Sequence, residues 1–463
     1  MKLNDLIFCI VIIFTLTTFN TTAIAKNTHD DIHKILNNLQ SFELNQGAII
    51  IATIEKSEIN YYTSNATINP STPFEIGSLS KLFTSLLLAI QHTETPVTLD
   101  TQLGDIFKED SLPKDISEIT LKQLSTHSSG LPRLPENLDV NSKNPYDGYT
   151  HKNLLQYLNN ATLSPEKTFV YSNLGAGLLG VALEKITNEN YDTLLNHHIA
   201  SPLMMKNTYI SRSHRNLNTM TQGYHASGKK APHWTFDALA SAGGIISTAE
   251  DLVNFLTLQL LACCKNTELE KTISYVQKTQ LIKAVQLSQE KHFSSQQSIE
   301  MGLGWFIHEK DNDSVFWHNG QTLGFSAFMG FKPSTAKGVV ILSNVALSTD
   351  EIGMAYLENS LDKLNKLIVN RNQKVPPKII EQYQGNYSIT PQFAVRIFAN
   401  NHLLFAQATN QPAVKLQMKN ATTFVKPNLD LSIEFIPNTD GEFDSLILRQ
   451  MGQTLKGNKV FDD

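Results

Sequence analysis

Ser78 and Lys81 stand three residues apart at the head of an apolar segment, residues 78–91 (SLSKLFTSLLLAIQ). On a helix, positions i and i+3 share one face, so the lysine amine can reach the serine hydroxyl. Serine is a weak nucleophile until a base takes its proton. A lysine held away from water loses part of its preference for charge and can act as that base. The helix start adds free amides and partial positive charge, which favour a developing oxyanion. An N-cap serine beside a surface lysine is the plainer reading of any four such residues. It fits poorly here, because the segment is apolar on nearly every side and is therefore expected to be buried.

Two further clusters carry chemistry. Tyr171-Ser172-Asn173 precedes a glycine-rich apolar helix, LGAGLLGVALEKI. A tyrosine hydroxyl there can relay a proton between Ser78, Lys81 and a leaving group. The Asn173 amide can hold the lysine amine and a substrate carbonyl, although asparagine before a helix is also an ordinary cap. His318-Asn319-Gly320-Gln321 ends a strand read from Ser314 to Trp317. Gly320 allows a substrate to lie along the strand edge, and the Gln321 amide offers a second oxyanion donor beside that of Ser78. A histidine next to Trp317 is as readily a wall residue.

Positioning these clusters takes a large fold. The chain has 463 residues, a formal charge of −5, 17% charged residues and 41% hydrophobic residues. That supports a large core and excludes global disorder. No basic stripe is present, which argues against a nucleic-acid partner. The first 25 residues read as a signal peptide. Lys2 opens it, Leu6 to Phe19 is a short apolar run, and Ala23-Ile24-Ala25 gives the cleavage pattern. The expected location is periplasmic or secreted, with no membrane span after cleavage; an uncleaved N-terminal anchor is the alternative. Cys263 and Cys264 are then the remaining cysteines. Adjacent cysteines make a strained ring, so two thiols are expected.

Helical spacing covers 31–43, 78–91, 152–159, 174–188, 191–197, 248–262 and 349–369. Strands are expected at 47–54 and 59–62, then at 302–308, 314–318, 324–332 and 337–344. The pattern predicts an α+β fold, one antiparallel sheet assembled from both ends of the segment with a helical lobe between. A polar stretch, 370–377 (NRNQKVPP), reads as a linker. Beyond it, 378–463 reads as a small all-β, barrel-like domain, with strands at 393–398, 402–408, 429–436 and 443–450. A chain ending near Gln373 is accordingly expected to fold. No metal or cofactor is implied: H-E-x-x-H is lacking, and His197-His198 are adjacent, the wrong spacing for one helix face.

The three clusters, in this order, resemble the serine β-lactamase and penicillin-binding superfamily. The likeness is strongest to the class C branch and its peptidase relatives, over about residues 30–365. It is carried by FEIGSLSKLFT (74–84), LKQLSTHSSGLP (121–132), VYSNLGAGLLG (170–180), SAGGIISTAEDL (241–252), MGLGWF (301–306) and WHNGQTLGF (317–325). The resemblance implies Ser78 as nucleophile, Lys81 as its base partner and Tyr171 as proton relay. It implies that Asn173 contacts Lys81 and substrate, and that His318 lies in the pocket wall. The tail resembles the lipocalin-like C-terminal domain of some such peptidases. The implied reaction is acyl transfer on D-residue peptides, amides or esters, with a small-molecule or cell-wall-derived peptide as partner. A β-lactamase and a non-catalytic penicillin-binding sensor are the alternatives. Where the family carries a K-T-G triad this chain has His318-Asn319-Gly320, which argues against efficient β-lactam hydrolysis. With histidine's ordinary pKa of about 6.5, imidazolium below about pH 6 is expected to favour carboxylate-bearing substrates. PEKTFVYSN, where relatives have Pro-Gly-Thr, alters a turn.

Overall fold

The computed structural model describes residues 28–460 apart from 42–43, 45, 141, 165–168, 212–219, 265–277, 297, 312, 372–374, 391–392, 401, 410, 412, 427–428, 430 and 451–452. The 1–25 leader lies outside the described residues. Helix α1 (28–41) is followed by β1 (Ile49–Glu55) and β2 (Glu58–Thr63), joined by a two-residue turn in which Lys56 and Ser57 both take positive φ. The helical lobe holds α2 (Ser80–Glu94), α3 (Asn173–Thr187) and α4 (Ala249–Cys263). The chain then returns to the sheet through β3 (Phe306–Lys310), β4 (Asp313–Gln321), β5 (Ser326–Lys332) and β6 (Lys337–Ser343). The sheet order is β2-β1-β6-β5-β4-β3, continued by the two-residue strands Glu300–Met301 and Phe293–Ser294. All pairings are antiparallel, with Ile49 opposite Ser343 and His318 opposite Met329. The N-terminal hairpin thus docks against the last strand of the segment, as the sequence pattern predicts.

Both faces of the sheet are buried. Ile50, Ala52, Ala327, Met329, Val340 and Leu342 face the helical lobe, where α2 and α4 pack with Phe83 against Phe255. The alternate residues Ile49, Ile51, Phe328, Val339 and Ile341 face α1 and the two helices α5 (Asp350–Leu357) and α6 (Leu361–Arg371). Strands covered on both faces read as unbroken apolar runs, which is why β1 and β6 were legible. The single helix expected over 349–369 is two, because Asn359 takes a left-handed φ of 55° between them. Strand β4 runs on past the Ser314 to Trp317 of the sequence pattern, carrying His318 and Gly320 into the ladder with β5.

The C-terminal unit is a nine-stranded antiparallel sheet. Its two end strands, Val414–Lys415 and Gln417–Met418, are one residue apart in the chain, so the sheet curls into a nearly closed barrel. Tyr383, stacked on Phe435 at 4.1 Å, fills its core. The expected linker is shorter than 370–377: α6 runs to Arg371, and a further helix starts at Pro377. The barrel also shares a core with the first unit. Phe398, Leu403, Phe405 and Ala413 are buried in the same cluster as Leu347 and Ile352. Lys426 pairs with Glu351 at 2.6 Å, and Asn400 Nδ2 donates to Ala226 O at 3.0 Å. A chain ending near Gln373 therefore uncovers apolar surface. Each large apolar side chain is worth about 1.5–3 kcal/mol buried, so such a chain should melt at least about 3 °C lower and bind an apolar dye. Unchanged melting with no dye binding would show that the shared cluster contributes nothing.

Candidate active site

Ser78 sits in a one-turn 3₁₀ helix, Gly77–Leu79, that leads into α2. The turn is pinned from both sides. Phe74–Glu75 pairs with Ile245–Ser247, and the Ile76 amide donates to Ile245 O at 3.1 Å. Gly77 has φ of 51°, and a Cβ there would lie 2.5 Å from Gln321 N. At Gly320 a Cβ would lie 2.0 Å from Ile76 O. Glycine is needed at both positions because the end of β4 and the Ser78 turn touch backbone to backbone. This contact puts the Gln321 amide beside the Ser78 turn, in reach of an oxygen bound there.

Lys81, in the first turn of α2, is 2% exposed. Its Nζ lies 2.9 Å from Ser78 Oγ and donates to Ala242 O at 2.7 Å. Burial, and then the Arg133 charge, hold its pKa well below the ordinary lysine value. A deprotonated amine in this geometry gives one N–H to Ala242 and keeps its lone pair for the Ser78 proton. The Ala242 carbonyl is fixed through Thr84, whose Oγ1 donates to Ser241 O at 2.8 Å. The 241–252 stretch therefore meets the Ser78–Lys81 pair directly.

The Tyr171 ring is 4.9 Å below Lys81 Nζ, and Tyr171 lines the same cavity as Ser78. Burial pushes its pKa up to about 12, against the opposing pull of Ser78 and Arg133. Tyr171 is therefore a neutral phenol near neutral pH, able to pass a proton without serving as the anionic base. The next residue, Ser172, starts α3 as its N-cap: its Oγ accepts from Gly175 N at 2.8 Å. That cap fixes where Tyr171 leaves the helix and enters the cavity.

Asn173 departs from the expected contact. Its Nδ2 donates to Tyr146 Oη at 3.4 Å, while the Lys81 amine is held by Ser78 and Ala242. Its Oδ1 is buried with no partner among the described residues, so it keeps an acceptor for an incoming N–H. His318 is fully buried, packed against Phe306 at 5.3 Å and Tyr171 at 6.2 Å, behind the cavity surface. Its Nδ1–H donates to Asn319 O at 2.5 Å, so in the neutral ring Nε2 carries no proton. Burial, and then the Lys81 charge, lower its pKa to about 3 against the pull of the Asn319 carbonyl. This corrects the expectation of an imidazolium below about pH 6: the charged form belongs below about pH 3. His318 itself should add no pH dependence, from pH 5.5 to 8.5, to the kcat/KM ratio for a matched substrate pair with and without a carboxylate. Asp350, raised to about 6 chiefly by burial and bonded to Asn319 at 2.7 Å, titrates in that range. Measuring the ratio in Asp350→Asn isolates the histidine, and a one-proton step near pH 6 in that variant would reinstate a charged His318.

The cavity over Ser78 has a volume of about 360 Å³. Tyr171, Asn173, Asn319, Gly320 and Gln321 line it, as do residues that the sequence reading passed over: Arg133, Tyr146, Trp234, Phe306, Gln407 and Gln411. Arg133 directly follows the LKQLSTHSSGLP stretch, so its neighbourhood was visible. Trp234 is placed by Glu75 of FEIG, whose buried carboxylate accepts its amide at 3.2 Å. Gln407 and Gln411 come from the barrel, and no local pattern announces that a tail strand borders this cavity.

Known proteins resemble this chain in sequence and in fold. The chain is 26% identical over 342 residues to Protein flp of Staphylococcus aureus strain MW2, covering 69% of this chain and 61% of that protein. It is 23% identical over 328 residues to a protein of Lysobacter lactamgenus named Beta-lactamase, covering 66% and 83% of the two chains. Among solved structures, D-alanine carboxypeptidase AmpC from Burkholderia cenocepacia aligns with a TM-score of 0.59 at 20% identity, over 73% of this chain and 99% of that one. The octameric penicillin-binding protein homologue from Pyrococcus abyssi aligns with a TM-score of 0.60 at 18% identity, over 93% and 99%. The latter likeness is wide enough to take in most of the barrel. The family model described as Beta-lactamase matches residues 46–363, more than half of the sequence and the whole of the segment that builds the sheet, the Ser78 turn and the cavity floor; this chain belongs to the Beta-lactamase family.

Proposed function

We propose that the protein is an exported serine hydrolase that acts through an acyl-enzyme on D-residue peptides or related amides and esters. The observation that carries this reading is the Ser78–Lys81 contact of 2.9 Å, with the lysine buried and its pKa depressed. Ser78 Oγ attacks the substrate carbonyl carbon as its proton passes to the Lys81 amine. The oxyanion is held by the Ser78 and Gln321 amides. The carbon–nitrogen or carbon–oxygen bond then breaks, and the leaving group takes a proton through Tyr171. Water, activated by the same groups, releases the acid and restores Ser78. The neutral, buried His318 favours a peptidase or esterase over a lactamase that depends on a strand lysine. Export rests on the leader pattern of residues 1–25.

Hydrolysis of β-lactams is the second reading, supported by the fold likeness to class C β-lactamases at TM-scores of 0.58 to 0.60. Both readings pass through an acylated Ser78. Intact mass after incubation with an N-acyl D-alanyl thioester and with a fluorescent β-lactam tests them together. A single adduct, absent from Ser78→Ala, is expected with the thioester and should turn over. Slow release of the β-lactam adduct favours the peptidase; release within seconds favours the lactamase. If neither reagent labels the protein and neither is consumed, the hydrolase reading is wrong.

A further inference from the structure

We infer that Arg133 forms a carboxylate subsite in the cavity, in a chain whose position 318 carries a histidine and not a lysine. This deepens the proposed function and rests on it for placing substrate over Ser78. Among the described residues that line the cavity, Arg133 carries a formal positive charge. Its guanidinium stands 5.2 Å over the Tyr171 ring, which links it to the Ser78 end of the cavity. The walls nearby are Tyr146, Phe169 and Trp234, so a charge pair formed there is screened less than one in open water. Arginine presents a planar fork that matches a carboxylate with two parallel hydrogen bonds.

The fixed backbone around Arg133 makes this a built site. Arg133 O accepts from the Asn173 amide at 2.9 Å and the Leu174 amide at 3.3 Å. Pro132 O accepts from Ser172 Oγ at 2.6 Å, and Gly130 O accepts from Ser164 N at 2.9 Å. The loop that carries the guanidinium is therefore tied to the segment that carries Tyr171. Such preorganisation reduces the ordering cost of binding. Arg133 also helps to hold the Lys81 pKa down, so one residue serves both substrate recognition and the state of the base.

The test is equilibrium binding to Ser78→Ala, which needs no turnover. Two matched pairs are compared: N-acetyl-D-alanyl-D-alanine against its C-terminal amide, and N-succinyl against N-acetyl versions of that amide. In one pair the member with the extra carboxylate should bind about tenfold or more tightly, and that pair identifies which end of the substrate meets Arg133. The preference should collapse to less than about threefold in Ser78→Ala/Arg133→Gln and largely persist with Arg133→Lys. Equal or undetectable binding of both members in both pairs overturns the inference, as does a preference that survives Arg133→Gln. A second readout is independent of stability: in the otherwise wild-type enzyme, Arg133→Gln should move the acid limb of kcat/KM for a neutral ester to higher pH, because a charge that depresses Lys81 is gone. An Arg133-dependent carboxylate preference in a protein whose Ser78 is never acylated would retain the subsite and discard the hydrolase. Acylation with no Arg133-dependent preference would do the reverse.

Discussion

Ser78→Ala should lower kcat by about 10⁴-fold or more while leaving the fold unchanged. Lys81→Ala should be nearly as severe. The double variant should be little worse than either, because the two residues act as one unit across a 2.9 Å contact. The check is steady-state turnover of one substrate by all three variants, with circular dichroism to confirm folding. Turnover by pure Ser78→Ala within tenfold of wild type would discard the mechanism. Lys81 has an opposite effect on stability. Its folded pKa is depressed, so the unfolded chain binds a proton that the folded chain does not. That penalty is absent above about pH 10.4, grows as the pH falls toward the folded value, and is constant below it. Lys81→Met removes the penalty and should raise the urea midpoint at pH 7, and raise it less at pH 10.5. Equal urea midpoints for wild type and Lys81→Met at pH 7 would mean that the amine is held charged.

Gly320→Ala should reduce kcat by about 10²-fold or more and cost about 1–3 kcal/mol of stability. The added methyl would sit 2.0 Å from Ile76 O and 3.1 Å from Leu79 N, both backbone atoms of the segment around Ser78. Neither can swing aside as a side chain can, so β4 and the Ser78 turn must separate. The separation pulls the Gln321 amide away from the place where the oxyanion develops. Because the defect is in positioning, acylation should slow for every substrate alike. Wild-type acylation rates in Gly320→Ala would show that the strand and the turn can part without consequence.

The sequence by itself determined the local features. The i, i+3 spacing brought Ser78 to Lys81, since a helix repeats every 3.6 residues whatever surrounds it. The apolar runs of β1, β5 and β6 and the all-round apolarity of α2 announced the buried sheet and the central helix. The family motifs led to Tyr171 and to the end of β4. Tertiary structure decided what depends on distant neighbours. The His318 charge state follows from burial and from Lys81, far away in the chain. The Asn173 amide went to Tyr146, and the Lys81 partner became a carbonyl at Ala242. Arg133 entered the cavity because Ser172 and Asn173 bind the backbone of its loop, and Gln407 and Gln411 entered because the barrel shares a core with α5. Hydrogen-bond choice and desolvation are set by three-dimensional proximity, and residues brought together by folding leave no spacing in the sequence by which to find them.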